Sequence, residues 1–155
     1  MPSKKLKAFL DESGVKYVSI QHSKAFTAQE IAAAAHVPGK ELAKTVLLWI
    51  DHKMAMAVLP ASYRVDREAL RMVTGAQIVD LCDEREFRDS FPDCEIGAMS
   101  PFGNLYGFDV YVAESLAEDD EIVFNAGTHT ELIKLSYADF KRLVEPTVVK
   151  FSQHV

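Results

Sequence analysis

Leu6, Phe9 and Leu10 recur at helical spacing ahead of Gly14, which predicts a first helix over residues 3–13. Residues 15–20 then read as a strand, with Val15, Tyr17 and Ser19 on one face. Thr27-Ala28-Gln29-Glu30 is a capping-box pattern opening a small-residue helix that stops before Pro38-Gly39. Two apolar runs, residues 44–50 and 54–59, flank Asp51-His52-Lys53 and predict a hairpin of two central strands. Asp66 can cap a short helix through Val73, and residues 76–81 read as another strand. Asp83-Glu84-Arg85-Glu86 opens a further short helix ending near Phe91-Pro92. Strands are predicted at 108–112, 121–124 and 131–135. Ser136-Tyr137-Ala138-Asp139 caps a last helix whose buried side carries Phe140, Leu143 and Val144.

About half a dozen strands and four or five short helices in this order do not alternate as strict βαβ units, and no Gly-rich phosphate loop follows the first strand. That excludes a Rossmann or P-loop reading. The expected class is α+β, a mixed, curved, barrel-like β-sheet flanked by short helices. No repeat, low-complexity run or linker divides the chain, so residues 1–155 read as a single domain.

Lys and Arg total 17 against 23 Asp and Glu, a net charge of −6. An acidic surface argues against a protein that coats nucleic acid, but not against one that grips a nucleic-acid end with a few well-placed groups. No stretch approaches a membrane span, and Asp11 and Glu12 interrupt any apolar core behind the N-terminal lysines. Cys82 and Cys94 are not spaced as a metal pair. A cytoplasmic, reduced protein is the expectation, without membrane partner, metal or cofactor.

Three places carry unusual residues. Lys44 begins the apolar strand Thr45-Val46-Leu47-Leu48-Trp49-Ile50, either as a strand-end lysine reaching water or as a fixed cation for a phosphate or a developing negative charge. In Gly97-Ala98-Met99-Ser100-Pro101-Phe102-Gly103, two glycines bracket a Ser-Pro step. Such a loop is either a connecting turn or a cradle of backbone N–H groups walling the main pocket. Asn125-Ala126-Gly127-Thr128-His129 follows an apolar strand and sets an imidazole near flexible backbone, as a substrate-orienting group or as a surface bystander. Ser100 lacks a G-x-S-x-G elbow, and Pro101 removes the N–H that would serve such a nucleophile's oxyanion hole. His22, His36, His52 and His154 show no metal-ligand spacing.

In order along the chain, Ala43-Lys44-Thr45, Ala57-Val58-Leu59-Pro60, the 97–103 loop and Phe124-Asn125-Ala126-Gly127 resemble the YbaK/prolyl-tRNA-synthetase-associated editing domain family over nearly the whole length. The resemblance implies a trans-acting aminoacyl-tRNA deacylase working without metal or covalent nucleophile. Its partner would be the acceptor end of a mischarged tRNA, with an aminoacyl-tRNA synthetase as a second candidate. It places Lys44, Gly97, Ser100 and Pro101 among the catalytic positions, and Ala98, Met99, Phe102, Gly103, Gly127 and His129 around the substrate. Thr45 follows Lys44 where members that clear alanine from proline tRNA tend to carry asparagine. Alanine, serine, threonine and cysteine therefore remain open as the edited amino acid. The competing readings are a catalytically inactive tRNA- or protein-binding module and, further off, a small-molecule esterase.

Overall fold

The structure is a computed structural model that describes residues 4–22, 30, 42–91, 94–95 and 97–154. The helix expected from Thr27 to Pro38 lies outside the described residues, Glu30 excepted. Along the chain come α1 (Lys4–Glu12), β1 (Val18–Gln21), β2 (Leu42–Ile50), β3 (Lys53–Pro60) and β4 (Tyr63–Val65). Then follow α2 (Arg67–Thr74), β5 (Val79–Leu81), α3 (Glu84–Phe87), β6 (Asp109–Ala113) and α4 (Glu114–Ala117). The last described elements are β7 (Glu121–Asn125), β8 (Glu131–Ser136), α5 (Tyr137–Val144), β9 (Thr147–Val149) and β10 (Ser152–His154).

The main sheet is eight-stranded and mixed, in the order β1-β8-β7-β2-β3-β6-β9, with β5 beside the far end of β2. β2 and β3 form the expected hairpin, Ile50 facing Lys53. Asp51 turns the corner with φ 56°, a left-handed conformation that Asp tolerates better than most residues. Its carboxylate accepts the N–H groups of Gln77 and Ile78 at 2.9 and 3.0 Å, which ties the hairpin tip to the segment entering β5. The mixed sheet with short helices matches the expected class, but it does not close as a barrel. Its path starts at β1 and stops at β9, and closure would require those two end strands to pair.

Both faces of the central strands are covered, which explains why β3 reads as a nearly unbroken apolar run. One face packs Leu47, Met56, Val58, Val112, Phe124 and Ile133 against Leu6 and Leu10 of α1 and Phe140 of α5. The opposite face packs Leu48, Ala57, Leu59 and Phe151 against Leu70 of α2. The helix signals hold at the level of single atoms. Asp66 accepts from the Ala69 N–H at 3.0 Å, Asp83 closes a capping box with Glu86, and Ser136 accepts from the Asp139 N–H at 3.1 Å.

The strand expected over residues 76–81 shrinks to Val79–Leu81, and the one expected from Val15 starts at Val18. β4, β9 and β10 were not expected. Each is three residues long, too short for alternation to stand out, and exists because a distant partner supplies its hydrogen bonds. β10 pairs with β4, and β9 runs parallel to β6.

Candidate active site

The pairing of β2 with β7 organises the site. These strands run parallel with Leu42 opposite Val123 and Ala43 opposite Phe124. Lys44 follows at once on β2, and Asn125 follows at once on β7. Residues in register share a face of the sheet. Leu42 and Val123 belong to one small apolar cluster, Ala43 and Phe124 to the main core on the other side. Alternation therefore turns Lys44 and Asn125 to the same face.

Lys44 is half-buried, and that loss of water lowers its ammonium pKa from the ordinary lysine value. Among the described residues no carboxylate compensates it, and it makes no hydrogen bond or ion pair. A desolvated, unpaired cation is an expense to the fold, since most buried charges are paired. The Asn125 carbonyl oxygen Oδ1 is buried and also lacks a hydrogen-bond partner among the described residues.

The chain leaving β7 is stitched to the 97–103 loop. The Gly127 N–H donates to the Ala98 carbonyl at 2.9 Å, and the Glu95 N–H donates to the Gly127 carbonyl at 2.7 Å. The Glu95 carboxylate accepts the His129 N–H at 3.0 Å. Gly97 and Gly127 both have positive φ, 86° and 94°, where a side chain is strained. A β-carbon on Gly97 would stand 3.5 Å from the His129 imidazole carbon Cε1, so the ring lies beside the loop with room for little more than a methyl group between them. His129 is 7% exposed, so it lies in the interior rather than on the surface. On the far side of the loop, the Ala126 N–H donates to the Glu131 carbonyl. The buried Glu131 carboxylate meets Lys7 at 2.6 Å and accepts the Ser19 hydroxyl.

Within the 97–103 loop the backbone donors divide. Ala98 donates to the Glu95 carbonyl, and Phe102 donates to Ser100 Oγ at a long 3.4 Å. Among the described residues, the N–H groups of Met99 and Ser100 have no backbone acceptor. The expected substrate contacts divide too. Gly97, Gly127 and His129 come together. Met99 and Phe102 send their side chains into the core, the Phe102 ring lying tilted 5.6 Å from Phe124 and edge-on 5.4 Å from Phe140. Gly103 is glycine for packing reasons, because a β-carbon there would come within 2.8 Å of Val110 Cγ2. The packing of these residues anchors the loop's backbone to the core.

Neither of two clefts bounded by described residues is walled by the loop. One of about 480 Å³ lies between Arg64, Arg67, Arg71 and Val79, and one of about 280 Å³ lies by Tyr63, Ser115 and Lys150. The site therefore rests on register and hydrogen bonding rather than on cavity volume. The Cys82 thiol is pushed up to about 12, chiefly by burial and then by Glu86 and Asp83, so it is no thiolate nucleophile at neutral pH. Among the described residues no three His, Cys, Asp or Glu side chains gather as a metal site, and no helix is long and apolar enough to cross a membrane.

A family model for the aminoacyl-tRNA editing domain matches residues 22–143, a span holding Lys44, the 97–103 loop and His129. This chain belongs to the aminoacyl-tRNA editing domain family. The editing domain is 25% identical over 153 residues to the multifunctional Ser/Thr-tRNA deacylase ProXp-y of Escherichia coli K12, covering 95% of this chain and 90% of that one. It superposes on the hypothetical protein APE2540 with a TM-score of 0.87 at 18% identity, covering 97% of this chain and 100% of the other. It also superposes on a candidate trans-editing enzyme for prolyl-tRNA synthetase with a TM-score of 0.83 at 19% identity, covering 98% and 97%. The editing domain is an aminoacyl-tRNA deacylase, a hydrolase that acts on the ester of mischarged tRNA.

Missed by the sequence reading were Glu95 and the parallel pairing of β7, the strand that ends in Asn125, with the Lys44 strand. Glu95 sits two residues before the glycine loop, so its proximity to an expected site was visible. Its use was not, because its partner His129 lies 34 residues on.

Proposed function

We propose that the editing domain clears a small, hydroxyl-bearing amino acid such as serine or threonine from tRNA, binding the acceptor end and using no covalent enzyme intermediate. The observation that carries the reading is the pair of N–H groups at Met99 and Ser100 that have no acceptor among the described residues, on a loop held by hydrogen bonds against the 125–129 turn. Preorganised donors of this kind stabilise the oxyanion of a tetrahedral intermediate. In the proposed reaction water attacks the ester carbonyl carbon, and the carbonyl oxygen takes up negative charge facing Met99 and Ser100. The bond to the ribose oxygen then breaks, and that oxygen receives the proton surrendered by water. The neighbouring ribose hydroxyl assists the transfer, which fits a site in which the protein's own bases are sparse. Lys44 holds the terminal phosphate or sugar, and His129 orients the substrate beside Gly97. A pocket discriminates one methylene by only about 1–3 kcal/mol, which gives a second hydrolytic sieve its purpose.

The ProXp-y relative supports serine and threonine over alanine, as does Thr45 in the place of asparagine. The test is release of amino acid from tRNAs mischarged with serine, threonine, alanine or cysteine. Fastest release of serine or threonine is expected. Binding of all four without release would replace the deacylase with the binding module, and equal cleavage of free aminoacyl esters would replace it with a general esterase.

Two further outcomes follow from the same geometry. Ser100→Ala should keep turnover within about tenfold of the parent, because its 3.4 Å contact is at most an ordinary hydrogen bond worth ~1 kcal/mol. Trapping an acyl group on Ser100 would overturn the mechanism. His129→Ala should lower turnover about tenfold with tRNA affinity retained, as expected for loss of an orienting contact. Unchanged rate and affinity would return His129 to the role of bystander.

A further inference from the structure

We propose that Glu95 is a positioning residue of the deacylation site, fixing the His129 imidazole against Gly97 through the main chain. Glu95 is hydrogen-bonded to both sides of the contact. Its N–H donates to the Gly127 carbonyl at 2.7 Å, its carbonyl accepts the Ala98 N–H at 3.0 Å, and its carboxylate oxygen Oε1 accepts the His129 N–H at 3.0 Å. The first two bonds need no particular side chain. The third needs an acceptor oxygen at the reach of a glutamyl side chain, and it bridges 34 residues of sequence. The turn it holds has a glycine with positive φ at Gly127, and by itself such a turn has several backbone solutions. The carboxylate selects the one in which His129 Cε1 meets Gly97. Glu95 is part-buried and has no lysine, arginine or histidine as an ion-pair partner among the described residues, so the role seen for its carboxylate is that of acceptor.

The inference rests on the deacylase reading above, and its test separates the two. Glu95→Gln keeps an acceptor oxygen at the same reach and removes the charge. Glu95→Asp keeps the charge and loses one methylene of reach. Positioning predicts that Gln retains most of kcat, while Asp and Ala each lose about tenfold in kcat with little change in KM. It further predicts that Glu95→Ala costs less in a His129→Ala background than in the parent, since the two act through one contact. Aspartate more active than glutamine, full activity in Glu95→Ala, or equal cost in both backgrounds would overturn it. A readout independent of turnover is the imidazole carbon and proton resonances of His129, which should move in Asp and Ala but stay near parent values in Gln. If the parent protein releases no amino acid from any mischarged tRNA, the deacylase reading falls. The resonances then still decide whether Glu95 positions His129.

Discussion

Lys44→Ala is expected to lose about 10- to 100-fold in deacylation, the rate equivalent of one charge-assisted hydrogen bond of about 1.5–3 kcal/mol made at the transition state. The structure adds a second expectation about the same residue. Its half-buried ammonium has no compensating partner among the described residues, and burial lowers its pKa. A lysine whose pKa is depressed on folding binds fewer protons folded than unfolded between the folded and unfolded pKa values. Stability therefore rises with pH through that window, and below it the charged group is a net cost. Removing the charge should accordingly leave the melting temperature unchanged or raise it. Lys44→Met, which keeps the apolar stem, should combine the lowest activity with the highest Tm of the series. Lys44→Arg should rescue poorly, because a planar fork does not occupy the space of a compact ammonium. Deacylation of a responsive tRNA, read beside thermal melts of the same proteins, checks all three. Near-parent turnover in Lys44→Ala would remove the proposed role.

Gly97→Val should lose about 100-fold in turnover, more than removal of the imidazole alone, because it displaces both the ring and the loop that carries the Met99 and Ser100 N–H groups, and misplacing a reacting group by about 1 Å costs on that scale. Two effects add at this residue. Its φ of 86° is unfavourable for any side chain, at about 1–3 kcal/mol. The valine methyl groups would also extend beyond the β-carbon position, already 3.5 Å from His129 Cε1, and push the imidazole away. Gly97→Ala separates the two, since it carries the backbone strain but leaves an ordinary contact with the ring. Alanine and valine should therefore melt within a few degrees of each other, at about 2–4 °C per kcal/mol for a chain of this size, while valine is far less active. Equal turnover in the two variants would show that the ring and the loop need not touch for catalysis.

The residues of the candidate site stand out in the sequence where short-range pattern marks them. Lys44 stands out because it interrupts an apolar run, and the 97–103 loop because two glycines bracket a Ser-Pro step. Capping at Asp66, Asp83 and Ser136 was legible for the same reason, since a cap is a contact among neighbours within a few residues. The two-residue hairpin between β2 and β3 belongs with them.

What the sequence by itself determined was therefore local: the central hairpin, most helix starts, the absence of a nucleotide-binding loop, and the identity of the three unusual places. Only the tertiary structure decided how those places meet. The parallel pairing of β2 with β7 sets Ala43 opposite Phe124, and hydrogen bonds from Glu95 and Ala98 fasten the 125–129 turn to the glycine loop. It also decided that Phe102 and Gly103 serve packing, that Glu95 bonds to the 125–129 turn, and that the sheet stays open between β1 and β9. The physical reason is the range of the interactions. Capping, turn preference and hydrophobic alternation act over a few residues and leave a periodic trace. Strand order and loop-to-loop hydrogen bonds join distant segments through the same backbone groups that every residue carries, so they leave no mark on residue type.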